Sequence, residues 1–399
     1  MRLFILLSRV PYPLEKGDKL RAFHQIKELS KNNEIILCAL NPDRKLNKQK
    51  AFQKLQPYCR SINFIDLPLY SIAWNMMLSF FKGLPIQTGY FYSSRSQRKI
   101  KNLISEYQPD HIYCQLVRTA EYVKDLPISK TIDYQDVFSY GLKRRYEKAG
   151  FFMKPFFKME YERLVKYENL VFDTFDNKTI ISYPDQKLID HTERDKIHII
   201  PNGVDHKFFS PMERKKKYDL VFAGNMGYPP NVDAANFLVK EIMPIVWKEK
   251  PEANVLLAGA SPDKKVLMLK SEKVVVSGWL DDIRDAYSSA KIFIAPMRIG
   301  TGLQNKLLEA MSMRIPSITT TLANDALKAV DGEQVLIGNN AQELATQLLL
   351  LLSDNDVYEK LAVNGFDFVN KEYSWEESTA KLDSIIKGTN YVERPHNKK

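Results

Sequence analysis

The sequence predicts an α/β protein built from two doubly wound domains joined by a short linker. Three observations carry that expectation. Strand-like apolar runs alternate with amphipathic helical stretches from end to end, which favours parallel sheets covered by helices. The 399 residues, 44% hydrophobic and 27% charged, suit a globular protein and exceed the length at which one core usually stays undivided. Near the middle lies a break of turn residues and solvated charge, Pro201-Asn202-Gly203-Val204-Asp205 followed by Pro211 and a basic run at 214–217.

The apolar runs of the first half place strands at 3–7, 35–39, 62–65, 111–114, 131–133 and 179–182. A helix is expected over 19–30, where Leu20, Phe23, Ile26 and Leu29 share one face and Asp18 stands in the capping position. After the break, strands are expected at 218–223, 254–259, 274–277, 291–296, 315–320 and 334–338. Helices follow Pro230, cover 304–312 and start again at Ala341. The expected domains are 1–205 and 206–374, with a closing segment at 375–399. Open sheets of this kind bind ligands at the carboxyl ends of their strands.

Composition removes several classes of function. The opening MRLFILLSRVPYP is short, is interrupted by Pro11 and Pro13 and has no small-residue cleavage site, so it reads as a first buried strand, not a signal peptide. Nowhere do about 18 apolar residues run uninterrupted, so a cytoplasmic protein is expected. Cys38, Cys59 and Cys114 lie far apart with no CxxC pair, which argues against a metal knuckle or disulfide framework. The six histidines show no paired helical spacing, so no metal site is expected. Asp354-Asn355-Asp356 has a metal-binding look but follows a helix and reads as a polar turn. A net charge of +10 points to anionic partners. No nucleic-acid-binding motif accompanies it.

The chemistry concentrates in 291–314, KIFIAPMRIGTGLQNKLLEAMSMR. A strand ends at Pro296, a turn follows at Gly300-Thr301-Gly302, and a helix opens with Lys306 in its first turn and Glu309 one turn on. Such a turn leaves backbone N–H groups, here at Gly300 to Leu303, free at a positive helix end, and Arg298 and Lys306 add charge where a diphosphate would lie. Glu309 is suited to accepting from two vicinal hydroxyls of a ribose. The plainer alternative is a tight turn followed by a solvated helix residue.

This stretch resembles the donor-binding segment of glycosyltransferase family 4, through Glu309-Ala310-Met311. So do the linker PNGVD with Phe208 or Phe209 and Pro211, the second-half opening FAGNMGYPPNVDAANFL, and Ser374-Trp375-Glu376 before the last helix. VPYPLEKGDKLRAFH near the amino terminus and IDYQDVFS at 132–139 are similar to the exopolysaccharide-assembly branch of that family in bacteria. The resemblance implies a GT-B fold: two Rossmann-like domains facing each other across a cleft, the first binding acceptor and the second binding nucleotide-sugar, with the last helix crossing back to the first. It implies transfer from a nucleotide-diphosphate sugar, UDP- or GDP-linked, to a glycan or lipid-linked acceptor. Retention is expected, with no metal and no permanently bound cofactor.

By the same resemblance Gly224, Asn225, Trp279 and Leu280 join Gly300, Thr301, Gly302, Leu303, Lys306 and Glu309 around the donor, and Gly17, Asp18 and Arg21 stand on the acceptor side. Asp133 and Asp136 are candidate catalytic groups with Lys306 and Arg298. The sequence departs from the family at three places. Thr301 replaces the first of two Glu residues eight apart, a neutral stretch replaces the Arg and Lys after the first strand of the second half, and a cleft His is missing. Phosphate neutralisation is thereby shifted onto Lys306 and Arg298. The losses leave room for a rival reading, a catalytically inactive scaffold of a polysaccharide assembly complex; a nucleotide-sugar epimerase is a lesser one. Aromatic and basic residues mix at 67–82 and 140–166, which predicts peripheral binding to an anionic membrane at its inner face.

Overall fold

A computed structural model describes residues 1–300 and 302–389 and divides them into two compact units. The first consists of Met1–Pro201 with the helix Trp375–Lys387; the second is Asn202–Ser374.

The first unit is built on seven parallel strands: β1 (Arg2–Leu7), β2 (Glu34–Asn41), β3 (Ser61–Asp66), β4 (His111–Gln115), β5 (Lys130–Asp133), β6 (Asn177–Ile180) and β7 (His198–Ile199). Their order is β3-β2-β1-β4-β5-β6-β7. Leu3 pairs with Ile35 on one side and His111 on the other, so β1 is central and its apolar run is covered on both faces. Two cores result, one on each face. Phe4, Leu6 and Cys38 point into one, and Leu3, Ile5 and Leu37 into the other.

The second core also takes Leu382 and Ile386, which explains why the helix Trp375–Lys387 belongs to the first unit. Trp375 stacks on His24 with ring centroids 4.9 Å apart, Asn33 donates to Asp383 at 2.7 Å, and Lys381 donates to the Ile199 carbonyl at 3.2 Å.

Six parallel strands form the second unit: β8 (Tyr218–Ala223), β9 (Val255–Ala258), β10 (Val274–Val276), β11 (Ala290–Ala295), β12 (Ser317–Thr319) and β13 (Leu336–Ile337), in the order β10-β9-β8-β11-β12-β13. Both sheets are doubly wound. The order reverses between β1 and β4 in one and between β8 and β11 in the other, and ligands of such sheets bind at those points.

Local details correct the sequence reading. The first helix is Gly17–Leu29, so Asp18 lies inside its first turn and does not cap it. Strand β6 stops at Ile180 because Ser182 turns out to cap the helix Tyr183–Leu188, accepting from the Asp185 N–H. The two-residue edge strand β7 was not expected, and neither of its residues, His198 and Ile199, is fully buried. Asp354 caps the helix Asn355–Glu372, accepting from the Asp356 and Val357 N–H groups, which accounts for the metal-like triplet. Cys38 and Cys114 are buried and Cys59 is half-buried.

Candidate functional site

In the second unit the chain leaves β8 through Gly224, at φ 152°. A Cβ there would lie 2.8 Å from Asn231 Nδ2, and one on Gly259 would fall 1.8 Å from the Gly224 carbonyl oxygen. Only glycine allows these two strand ends to meet so closely. Asn231, buried in the helix Pro229–Phe237, donates to the Asn225 carbonyl at 2.9 Å and fixes this turn. Asn225 turns its own side chain back to accept from the Gly227 N–H.

Across the switch point, β11 leads through Gly300 and Gly302, both with positive φ, into the helix Asn305–Ser312. No side chain caps that helix; the Leu307 N–H turns back to the Gln304 carbonyl at 2.9 Å, while the Asn305 and Lys306 N–H groups have no acceptor among the described residues. Thr301 lies outside the described residues. Lys306 reaches back from the first turn, its Nζ donating to Asn231 Oδ1 at 2.6 Å and lying 4.7 Å from the centre of the Phe222 ring. Met297 Sδ is 3.7 Å away. Partial burial among these groups pushes the ammonium down to about 7, against the opposing pull of Glu309. Nearby carbon and sulfur provide little solvation, so this cation responds strongly to an incoming anion.

Glu309 lies one turn further on the same face. It accepts from the Tyr287 hydroxyl at 2.7 Å, which leaves the other oxygen unengaged among the described residues. Burial raises its pKa, while Tyr287 and Lys306 oppose the rise. Sequence reasoning missed Tyr287, which is buried beside Phe293 and Phe209 and orients the carboxylate. Its only sequence signal is a position three residues before β11.

The remaining donor-side candidates separate. Leu303 and Leu280 pack partly against the core of the unit. Trp279 is 61% exposed after β10, donating to Asp281 at 3.2 Å, and so is no core residue. Arg298 is turned to partners away from Lys306. Two carboxylates on the opposite helix and its continuation hold it, Asp233 at 3.0 Å and Glu241 at 3.3 Å, and it lies over the Phe237 ring.

In the first unit, Asp133 and Arg21 prove to be core residues. Both side chains are fully buried and paired at 2.6 Å, and Tyr113 and Thr179 each donate to the same carboxylate at 3.0 Å. A buried arginine needs such a partner, which removes both from contact with any substrate. Gly17 is exposed at the helix start with open space around it, and Asp18 pairs with Arg9 at 2.8 Å. Asp136 remains solvent-accessible beyond β5, accepting from the Val137 N–H at 2.8 Å. Crowding by protein raises its pKa. Behind it lie two buried carboxylates that the sequence did not reveal, Glu168 and Asp185, each pushed up to about 7, first by burial.

Among the described residues, no group of three or more His, Cys, Asp or Glu gathers to hold a metal ion. No described helix is long and apolar enough to cross a membrane.

Comparison with known proteins places this geometry. Residues 217–354, within the second unit, match the family described as Glycosyl transferases group 1. The 44.6 kDa cps-region protein of Klebsiella pneumoniae is 23% identical over 97% of this chain and 99% of its own. Among solved structures, sucrose-phosphate synthase of Thermosynechococcus elongatus is similar at 15% identity and TM-score 0.68, over 97% of this chain and 99% of that one. Anabaena HepE in complex with UDP-glucose is similar at 12% identity and TM-score 0.68, over 97% and 99%. WaaG, a glycosyltransferase involved in lipopolysaccharide biosynthesis, is similar at 15% identity and TM-score 0.63, over 97% and 100%. At these identities the structural likeness establishes the GT-B fold.

Proposed function

We propose that this protein transfers a sugar from a nucleotide-diphosphate donor to a glycan or lipid-linked acceptor in bacterial surface polysaccharide synthesis. The observation that carries the reading is the convergence of Lys306, Gly224, Asn231 and the uncapped start of the helix Asn305–Ser312 on the switch point of the second sheet. A diphosphate there meets one cation and several N–H donors, and each charge-assisted hydrogen bond contributes about 1.5–3 kcal/mol. Glu309, oriented by Tyr287, accepts from the ribose hydroxyls. As the bond from sugar to diphosphate breaks, charge grows on the leaving oxygens, and fixed donors aimed at growing charge are usually the largest catalytic term. Lys306 and the amides take the role that a metal ion fills in other transferases.

The first unit takes the acceptor in this reading, with Asp136 beside the incoming hydroxyl. Membership of family 4 and retention of configuration belong to the same reading, supported by Glu309-Ala310-Met311 and the linker motif. The UDP-glucose complex of HepE favours UDP over GDP, and the cps-region relative favours a capsule-like product.

Membrane docking completes it. The helix Leu69–Phe81 exposes Tyr70, Trp74 and Phe81, the last at 78%, and Phe152 is 92% exposed before the helix Lys154–Thr174. Arg163 on that second helix lies 4.8 Å from the Phe80 ring and brings the two aromatic groups onto neighbouring elements. Lys143 and Arg145, exposed on the helix Phe138–Lys148, supply charge for anionic headgroups.

Incubation with labelled UDP- and GDP-sugars and a lipid extract tests the reading. Sugar incorporation that Glu309→Ala lowers at subsaturating donor supports it. Absence of transfer from every donor, with nucleotide still bound, would identify a scaffold.

A further inference from the structure

The first unit has a cavity of its own at the carboxyl ends of β1 and β2. It measures about 280 Å³, and Arg9, Lys16, Lys19, Asn41 and Tyr90 are in its wall. Every lining residue belongs to the first unit. The only carboxylate in the wall is Asp43, which accepts from the Lys45 N–H at 2.9 Å. Arg9 is paired with Asp18 at 2.8 Å. Lys16 and Lys19 have no ion-pair partner among the described residues. Burial and the charge of Lys16 push the Lys19 ammonium below its ordinary value.

Arg118, on the turn Val117–Tyr122 that follows β4 across the switch point, does not line the cavity but interacts electrostatically with Arg9 and Tyr90 of its wall. Its guanidinium is half-buried, 4.3 Å from the Phe138 ring and 5.1 Å from the Phe91 ring, and gives one bond, to Gln87 at 3.3 Å. No carboxylate lies within 4.0 Å among the described residues. Burial lowers it to about 10, and Arg9 adds to the fall while Asp18 and Asp136 pull the other way. A desolvated guanidinium with no counter-ion is unfavourable, and an anion seated beside it would offset that penalty.

We propose that this cavity binds an anionic group, a phosphate or a carboxylate, held by Lys16 and Lys19 and reinforced by Arg118. On the glycosyltransferase reading, on which the ligand's identity rests, the group belongs to the acceptor, either as the phosphate of a lipid carrier or as the carboxylate of an acidic sugar. The acceptor would then be charged, and the cavity would set its register against Asp136.

Isothermal titration of the full chain with sodium pyrophosphate, and separately with sodium glucuronate, tests the site. One probe should bind saturably, with Kd raised at least tenfold by Lys19→Gln and by Arg118→Gln and unchanged by Lys306→Ala. Pyrophosphate binding that Lys19→Gln weakens and Lys306→Ala leaves unchanged assigns a phosphate-bearing acceptor, glucuronate binding with the same pattern assigns an acidic sugar, and pyrophosphate binding that only Lys306→Ala weakens belongs to the nucleotide site and overturns the proposal. Binding of neither probe overturns the proposal, as does binding that survives Lys19→Gln at full strength. Lys19 is partly exposed, so that variant keeps the test decisive even where Arg118→Gln fails to fold. UDP titrated into the same samples separates the two readings. Failure of UDP to bind counts against the nucleotide site alone, whereas UDP binding without either probe counts against this cavity alone.

Discussion

Lys306 Nζ donates to Asn231 Oδ1 at 2.6 Å, and this bond carries the charge of one helix back to the end of the central strand of another βα unit. The turn after β8 has no cation of its own. A lysine borrowed from the helix Asn305–Ser312 stands at the place where a phosphate would approach Gly224, 3.6 Å from where its Cβ would be.

Replacing Lys306 by Ala should lower kcat for transfer by about 10²–10³-fold, the usual effect of losing one donor aimed at developing charge. Glu309→Ala should act differently, weakening donor binding by about 1.5–3 kcal/mol with a smaller effect on kcat. Steady-state kinetics with a titrated donor resolves the two.

Donor affinity should depend on pH through Lys306. Its pKa is about 7 in the free protein, and a bound diphosphate raises it. The stabilisation is therefore complete below about pH 7 and declines as pH climbs from there toward the bound-state value, by up to about tenfold per unit. Lys306→Arg stays charged throughout and should flatten the profile measured by calorimetry.

Stability should carry the mark of the buried acids. Glu168 and Asp185 titrate near 7 in the folded protein, above their ordinary values. The folded state therefore holds protons that the unfolded chain releases, and stability falls as pH rises from about 4 to about 7. Glu168→Gln should reduce that slope in thermal melts at pH 5 and pH 7.5.

Breaking the core pair should be costly, and breaking the surface pair cheap. Asp133→Ala leaves Arg21 buried without its main counter-ion and should destabilise the protein by about 3–5 kcal/mol. Arg298→Ala removes partly exposed pairs and should cost at most about 1 kcal/mol, with transfer nearly unchanged. Chemical denaturation measures both.

The membrane surface is checked by vesicle co-sedimentation. Trp74→Asp combined with Phe152→Asp should abolish binding to vesicles rich in phosphatidylglycerol at low salt and leave donor binding intact. Unchanged sedimentation would remove the membrane from the account.

The strands were legible because parallel strands buried on both faces read as unbroken apolar runs, and RLFILL of β1 is buried from Leu3 to Leu7. The candidate site was half legible. Lys306 and Glu309 stand at helical spacing after a glycine turn, a local pattern, whereas Asn231 and Tyr287 reach them from 75 and 22 residues away. Arg298 was misread for the same reason, since its carboxylate partners are 65 and 57 residues distant. Asp133 follows a strand as cleft residues do. Only the three-dimensional neighbourhood, with Arg21, Tyr113 and Thr179 around it, shows that it points into the core.

Calorimetric titration of UDP and GDP into the wild-type chain and the Lys306→Ala and Glu309→Ala variants bears most directly on the central claim. At least one nucleotide should bind saturably to the wild type and lose tenfold or more in affinity in Glu309→Ala, with a smaller loss in Lys306→Ala at pH 8 than at pH 6. Binding of neither nucleotide, or equal binding by all three proteins, would contradict it.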